Sequence, residues 1–257
     1  MNKNGIVAVA AAALMAAGAQ PKSRDPGPTD HRQLAPGEFD RILVAGPFLV
    51  RVRTGQATSV SLTGPRTTLD DTELVVRDGQ LFIGWQEGAG WPRNGNEGVD
   101  VDVTVPAIRG VTNAGTGSVD IDRVKTDRFV ATLSSAGGVT IHSMDIGQLQ
   151  AQLSGSGNLA LRQINAKAVD VLLAGSGGVR AAGEADTATL SLGSSGSFDG
   201  PNFKARDASI MSNGPGAVRA SVTHIADIKS FGAGGIFLTG GAKCSVTKLG
   251  PGDVRCS

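Results

Sequence analysis

The second half of the chain repeats a pattern of apolar and polar residues with a period close to 20. Within each repeat apolar residues alternate with polar ones, as in Ala131-Thr132-Leu133, and a period of two is the mark of a half-buried β-strand. A glycine-rich corner follows, and the first apolar residue after it marks the repeat. The markers are Val119, Val139, Leu159, Val179, Phe198, Val218, Ile236 and Val254. Their spacings are 20, 20, 20, 19, 20, 18 and 18 residues.

A glycine stands two residues before every marker. These corner glycines are Gly117, Gly137, Gly157, Gly177, Gly196, Gly216, Gly234 and Gly252. Glycine tolerates left-handed or crowded backbone conformations, so we expect the same backbone corner in every repeat. A flexible linker would also be rich in glycine, but it would not keep this register with apolar strands.

Each repeat therefore predicts a strand, a glycine corner, a second strand and a bend. Such a unit cannot bury its apolar face alone, whereas stacked units share one continuous core. The predicted fold class is all-β: a single-stranded parallel β-helix, or solenoid, with eight glycine-cornered rungs in residues 107–257. The rules of strand twist favour right-handed winding.

Residues 38–106 also contain β-strand patterns, but they lack the regular repeat. Gln80–Trp85 and Val99–Val105 are two of these alternating segments. We therefore predict one solenoid domain over residues 38–257 with a less regular N-terminal part. Residues 20–37 contain four prolines and few apolar residues, which predicts a disordered leader.

The first 19 residues have the order of a secretory signal peptide. A short positive start, Met1–Lys3, precedes an apolar run from Ile6 to Ala17, and Ala17-Gly18-Ala19 is typical of a cleavage site. The apolar run is shorter than the roughly 20 residues that cross a bilayer. We expect an exported protein of the bacterial periplasm or cell surface, with no membrane span after cleavage.

The composition argues against several classes of partner. The formal net charge is only +1, whereas a protein that neutralises many phosphates carries a clear basic excess, so nucleic acid is not expected. Aromatic residues make up 4% of the chain and tyrosine is absent, so few rings can stack on bases or sugars. No pattern indicates a cofactor.

The two cysteines, Cys244 and Cys256, both fall in the final repeat. They occupy core-facing positions ten residues before and two after the marker Val254. In an exported protein this arrangement predicts a disulfide that holds the C-terminal rung, whose strand edges would otherwise be open. The alternative is two buried free thiols, since cysteine also acts as a small apolar residue.

Two groups of residues are candidates for binding or catalysis. Asp100, Asp102, Asp120 and Asp122 alternate with apolar residues and are expected to point outward on neighbouring strands, so they could bind calcium or a carbohydrate. Solvated strand faces carry such charges as well, and the repeats have no long inserts that would form a catalytic groove. Trp85 and Trp91 border a polar loop, where they could contact a glycan or fold back onto the sheet. We predict no catalytic, cofactor-binding or metal-ligating residue.

The chain also resembles a known family over roughly residues 38–256. The residues that carry the resemblance are Phe39-x-x-Ile42, Gly46-x-Phe48-x-Val50-x-Val52, Asp78-Gly79-x-Leu81-x-Ile83, Val101 to Pro106 and Gly115-x-Gly117-x-Val119. This order is similar to the auto-transporter adhesin head (GIN) domain family, a domain of unknown function. The resemblance implies a parallel β-helix, an exported location and an adhesive role, and it supplies no catalytic residue.

These observations together predict a non-enzymatic β-helix protein of the bacterial cell envelope, used for adhesion or for structure. Its expected partner is a cell-surface glycan or an envelope protein, because repeat solenoids present extended binding surfaces. The alternative is a polysaccharide-active enzyme of the β-helix type, either a lyase or a hydrolase. That alternative requires charged residues that converge in one groove.

Overall fold

The computed structural model describes residues 27–89 and 98–257. The predicted signal peptide (residues 1–19) and Trp91 lie outside the described residues. Strand accounts for 67% of the structure and helix for 3%, so the prediction of an all-β protein is confirmed.

The described residues form strands and one short helix. The N-terminal elements are β1 (Thr29–Leu34), β2 (Arg41–Val44), β3 (Leu49–Thr54), β4 (Ser59–Pro65), α1 (Arg66–Asp71), β5 (Thr72–Arg77), β6 (Gln80–Trp85), β7 (Asp100–Val105) and β8 (Gly110–Asn113). The repeats follow as β9 (Ser118–Leu133), β10 (Gly138–Leu153), β11 (Asn158–Leu173), β12 (Gly178–Leu192), β13 (Phe198–Ser212), β14 (Val218–Ser230), β15 (Ile236–Thr239), β16 (Lys243–Lys248) and β17 (Val254–Cys256).

The repeats stack in parallel and in register, as their spacing predicts. Each marker pairs with the marker of the next repeat, from Val119 with Val139 through to Ile236 with Val254. The result is a β-solenoid of about seven turns with rungs of roughly 20 residues. The sequence predicts eight rungs, but the three residues of β17 do not complete the last turn.

The N-terminal part belongs to the same solenoid, although its chain order differs from its stacking order. On one side β2 lies between β6 and β8, and on the other β3 lies between β7 and β9, all in parallel. The β2–β3 turn thus packs directly against the first regular repeat. Gly46 extends the glycine corner, because a Cβ on Gly115 would collide with the Gly46 carbonyl. This turn was not predicted, although the sequence contains a signal for it. Gly46 stands four residues before Val50, and Gly115 stands four residues before Val119, the residue with which Val50 pairs.

Antiparallel strands and the helix cover the N-terminal end. Strand β4 pairs with β7, β1 pairs with β4, and β5 pairs with β6. In α1, Leu69 is buried and joins the core. The predicted disordered leader is therefore wrong for Thr29–Leu34, because the edge of β4 satisfies the hydrogen bonds of β1. The helix was not predicted, since its six residues are too few to show a helical period.

The corner glycines are required by close approach rather than by a left-handed backbone. None of the eight has a positive φ. Instead, a Cβ added at any of them would lie less than 3.0 Å from a backbone oxygen of the preceding turn, a distance that real Cβ atoms essentially never reach. For Gly137, that oxygen belongs to Gly117. The crowded conformation, one of two that the sequence left open, is therefore the one observed.

The interior is an apolar core with three buried polar side chains near the glycine corner. Asn113, Ser212 and Ser230 are buried at positions where the middle repeats carry leucine. The Asn113 amide donates to the carbonyls of Gly117 and Gly138 at 3.0 Å each, and its oxygen accepts from the Gly115 amide at 3.1 Å. Asn113 thus joins two successive corners.

The two cysteines lie in the last turn, on β16 and β17. Their Cα atoms are 6.6 Å apart and their sulfur atoms are at disulfide distance, and the two positions are 12 residues apart in sequence. Both side chains pack against the core from the C-terminal end.

Two adjacent glycines provide a test of the corner. We expect Gly137→Ala to lower the free energy of unfolding by about 1–3 kcal/mol or more, the usual cost of overpacking. Gly138→Ala is the matched control, because a Cβ there meets nothing nearer than 3.6 Å. Thermal unfolding followed by circular dichroism measures both variants. Equal stability of the two variants would contradict the close-approach explanation.

The cysteine pair makes a second prediction. Replacing Cys244 and Cys256 with serine should lower stability by about 3 kcal/mol, the value expected for a closed loop of about 15 residues. Thiol labelling of the exported protein should stay blank until a reductant is added. Full labelling without reductant would show that the thiols are free.

Candidate ligand-binding furrow

Each long repeat strand turns twice, so the rung has three sides rather than the two strands that the sequence predicts. In β10 the turns fall at His142-Ser143 and Gly147-Gln148, where the alternation of buried and exposed residues breaks. We name the sides after β9: the marker side (Val119–Ile121), the short side (Val124–Thr126) and the flat side (Phe129–Leu133). The short side is the least regular, because the registers of β11 to β14 shift beside it.

The short side carries one outward-facing residue per turn. These residues are stacked in register across six strands and are all polar. From β9 to β14 they are Lys125, Asp145, Asn165, Glu184, Lys204 and Ser221. The inward residues next to them, such as Met144 and Ile164, are buried in the core, so the fold fixes the direction of each polar side chain.

The corner between the short side and the flat side adds a second column. It consists of Asp127, Gly147, Lys167, Asp186 and Arg206. Between the two columns lie the buried side chains of Ile146, Ala166 and Ala185, which form an apolar floor. Together the columns and the floor form a furrow that runs along the solenoid axis.

The furrow continues through three adjoining hollows of about 530, 500 and 340 Å³. The first and second share Ala107 and Arg109, and the second and third meet on β11, where Lys167 lines one and Ala166 lines the other. A further hollow of about 650 Å³ lies on the other side of the first column, beside Ser143, Gln163 and Asn202. From β2 to β14 the furrow crosses eight stacked strands. At about 4.8 Å between strands its length is about 34 Å.

The charges of the two columns balance, and from β10 to β13 their sign changes from turn to turn. Strands β10 and β12 contribute the carboxylates of Asp145, Glu184 and Asp186, whereas β11 and β13 contribute Lys167, Lys204 and Arg206. Strand β9 contributes one charge of each sign, Lys125 and Asp127. Within the described part of the chain, none of these eight groups forms an ion pair with another of them. Asp145 accepts a hydrogen bond from the Asn165 amide at 3.2 Å and Arg206 pairs with Asp207, but each keeps further hydrogen-bonding atoms for a ligand.

The two ends of the furrow are held by local contacts. At the N-terminal end the Asp40 carboxylate lies 3.5 Å from Nε of both Arg41 and Arg109. At the C-terminal end Arg206 pairs with Asp207 at 2.9 Å. The hydrogen bond between His224 and Asp207, 2.7 Å long, lowers the pKa of Asp207 below its ordinary value. These contacts fix the geometry of the furrow ends.

The aspartate group predicted from sequence lies on the marker side and is divided. Strand β3 inserts between β7 and β9, so Arg51 separates Asp102 from Asp120. Arg51 lies 3.1 Å from Asp100 and 3.6 Å from Asp102, and the hydrogen bond to Asp100 raises the pKa of Arg51 above its ordinary value. The prediction that the two aspartate pairs lie on neighbouring strands was wrong, because stacking order differs from chain order here.

The other two aspartates have structural partners. Asp122 accepts hydrogen bonds from the Thr54 amide at 3.1 Å and the Thr54 hydroxyl at 3.2 Å, and Asp120 lies 2.9 Å from His142 Nε2. Across residues 27–89 and 98–257, no group of three or more His, Cys, Asp or Glu side chains is placed to hold a metal ion.

The described tryptophan lies outside the furrow, at the glycine corner. Trp85 packs against Phe48 with ring centroids 4.9 Å apart, and its indole nitrogen is buried beside Gly46. The Trp85 ring is therefore partly covered by this packing. The tryptophans were predicted as candidate glycan contacts, whereas the furrow was not predicted. Its signal in the sequence is the polar residue that follows each inward-facing residue of the short side.

Solved structures of bacterial proteins share this fold. A structure described as a putative lipid binding protein from Parabacteroides distasonis superposes with a TM-score of 0.80 at 22% identity, covering 89% of this chain and 96% of that one. A putative adhesin from Bacteroides fragilis superposes with a TM-score of 0.68 at 22% identity, covering 88% of this chain and 96% of that one. A putative adhesin from Parabacteroides merdae superposes with a TM-score of 0.75 at 18% identity, covering 89% of this chain and 95% of that one. At such low identities these likenesses show a shared fold alone.

Three further findings bear on classification. No helix in the described residues is long and apolar enough to cross a membrane. No curated protein sequence matches the chain. The family model described as "Putative auto-transporter adhesin, head GIN domain" matches residues 38–242, which is most of the chain and most of the solenoid. The chain therefore belongs to this adhesin head (GIN) domain family.

Proposed function

We propose that this protein is an exported adhesive module of the bacterial cell envelope that holds an extended polymer in its furrow. The observation that carries the proposal is the continuity of the furrow across eight strands, from Asp40 to Thr223. The adhesin family and the signal-peptide pattern of residues 1–19 support an exported location.

A furrow of this kind suits adhesion because many modest contacts add up along its length. A single turn presents only two or three polar side chains, whereas the whole furrow presents a repeated set about every 4.8 Å. A ligand that is itself a repeating chain can use all of them at once. A small molecule would use one hollow and leave the rest open.

The arrangement favours binding over catalysis. Glycosidases place two carboxylates on opposite sides of one scissile bond. Among the described turns only β12 has a carboxylate in both columns, Glu184 and Asp186, and the polar lining of the furrow extends far beyond that pair. The marker-side aspartates are bound to Arg51, Thr54 and His142. The proposal therefore assigns the furrow to attachment and not to turnover.

Filling the middle of the furrow tests the proposal. Asn165 lies in the first column near the middle of the furrow and lines the hollows on both sides of that column. Asn165→Trp should therefore reduce binding of the exported protein to intact bacterial cells and to immobilised linear polysaccharides at least about tenfold, a loss of about 1.4 kcal/mol. Biolayer interferometry and flow cytometry with labelled protein measure the effect.

The matched control is Thr189→Trp, which adds the same ring on the exposed flat side. It should leave binding unchanged. Circular dichroism and thermal unfolding confirm that both variants are folded. If Asn165→Trp binds as well as Thr189→Trp, the furrow is not the attachment site.

A further inference from the structure

The furrow also carries information about the chemistry of its ligand. We infer that it binds a linear, uncharged, hydroxyl-rich glycan chain of roughly seven sugar units, one for each interval between its eight strands. This inference rests on the proposed function and adds the class of polymer. Three features of the short side support it: the length and repeat of the furrow, the order of its charges and the nature of its floor.

The repeat of the furrow matches a sugar chain better than a peptide. A chain that lies along the axis meets a new polar side chain about every 4.8 Å, whereas an extended peptide advances about 3.3 Å per residue. An extended sugar chain has a repeat close to the strand spacing. Each sugar unit can therefore meet one turn of the solenoid, and successive units meet equivalent positions.

A peptide would also lack partners for its main chain. Extended peptides bind best when they add a strand to a free sheet edge. The furrow runs across the strands, and the backbone groups of β10 and β11 along the short side are paired in the parallel ladder. Peptide amides in the furrow would have to bond to side chains alone.

The order of the charges disfavours a polyanion and a polycation equally. A polyanion would meet Asp145 on β10 and both Glu184 and Asp186 on β12, and like charges in contact oppose binding. A polycation would meet Lys167 on β11 and both Lys204 and Arg206 on β13. An uncharged chain avoids both penalties.

Hydroxyl groups satisfy both kinds of turn. A hydroxyl donates one hydrogen bond and accepts others, so the same sugar can donate to Glu184 and accept from Lys204. Hydrogen bonds to charged groups are stronger than those between neutral groups. In the described residues no charge of the two columns is paired with another of them. Asp145, which accepts from Asn165, and Arg206, which pairs with Asp207, keep further hydrogen-bonding atoms for a ligand.

The floor supplies room rather than apolar area. Ile146, Ala166 and Ala185 lie between the two polar columns and are each at most 8% exposed, so a ligand has little of their surface left to bury. Because these side chains are buried, none of them projects between the columns, and a sugar ring can reach the polar side chains on either side.

Calorimetry with ligands of graded length and charge tests the inference on the exported protein. The probes are neutral linear oligosaccharides of the xylan, mannan and glucan types, a polyuronate, a cationic deacetylated chitin and a neutral peptide of matched length. We expect affinity for one neutral series to rise with length, level off near seven units and change little between about 50 and about 200 mM salt. The charged polymers and the peptide should bind at least about tenfold more weakly.

Reversing the two negative charges on β12 should change the class of polymer that the furrow binds. Glu184→Lys combined with Asp186→Lys makes the furrow uniformly basic from Lys167 to Arg206. This variant should gain polyuronate binding at least about tenfold, with strong salt dependence. The matched control, Asp170→Lys combined with Asp227→Lys, makes the same change of charge on the flat side and should gain none.

The outcomes separate this inference from the proposed function. Tighter binding of the native protein to the polyuronate, the chitin derivative or the peptide, still lost in Asn165→Trp, would overturn the ligand class and leave the attachment site in place. Absence of binding to every probe and to cells, or binding that Asn165→Trp does not reduce, would overturn the proposed function itself.

Discussion

The close approach of successive turns at the glycine corner is the constraint on which the rest of the structure depends. Any side chain at Gly137 or its equivalents would collide with the backbone of the preceding turn. Parallel strands need a spacing of about 4.8 Å to keep their hydrogen bonds. All three sides of the rung can keep that spacing only if the backbones of successive turns also lie about 4.8 Å apart at the corner. The glycine column therefore sets the register of every ladder from the β2–β3 turn to β17.

Once the register is set, the fold decides which residues face inward but leaves the outward positions open. Inward positions must be apolar, because they form one shared core. On the short side any polar residue would be compatible with folding at positions such as Asp145, Asn165 and Glu184. The balance of charges and their change of sign from turn to turn are therefore not needed for stability. Because folding does not require this pattern of charges, the pattern in the two columns can be used to infer the class of ligand.

The two ends of the solenoid are protected in different ways. Antiparallel strands and α1 cover the N-terminal end, with Leu69 in the core. At the C-terminal end the edge strand β16 has a lysine at each terminus, Lys243 and Lys248, and charged edge strands resist pairing with other chains. The cysteine pair joins this strand to β17. The lateral sides, and the furrow above all, are thus the surfaces left for interaction.

The sequence by itself determined the period, the corner glycines and the proximity of Cys244 and Cys256, because each depends on residues that repeat at constant spacing and stack on their own equivalents. It also indicated the family. Only the tertiary structure decided the neighbours of the N-terminal strands. It placed Arg51 between Asp102 and Asp120 and paired Thr29–Leu34 with β4. It also aligned the hollows of successive turns into one furrow. These features depend on which turn packs against which. Where chain order and stacking order differ, no local pattern records that choice.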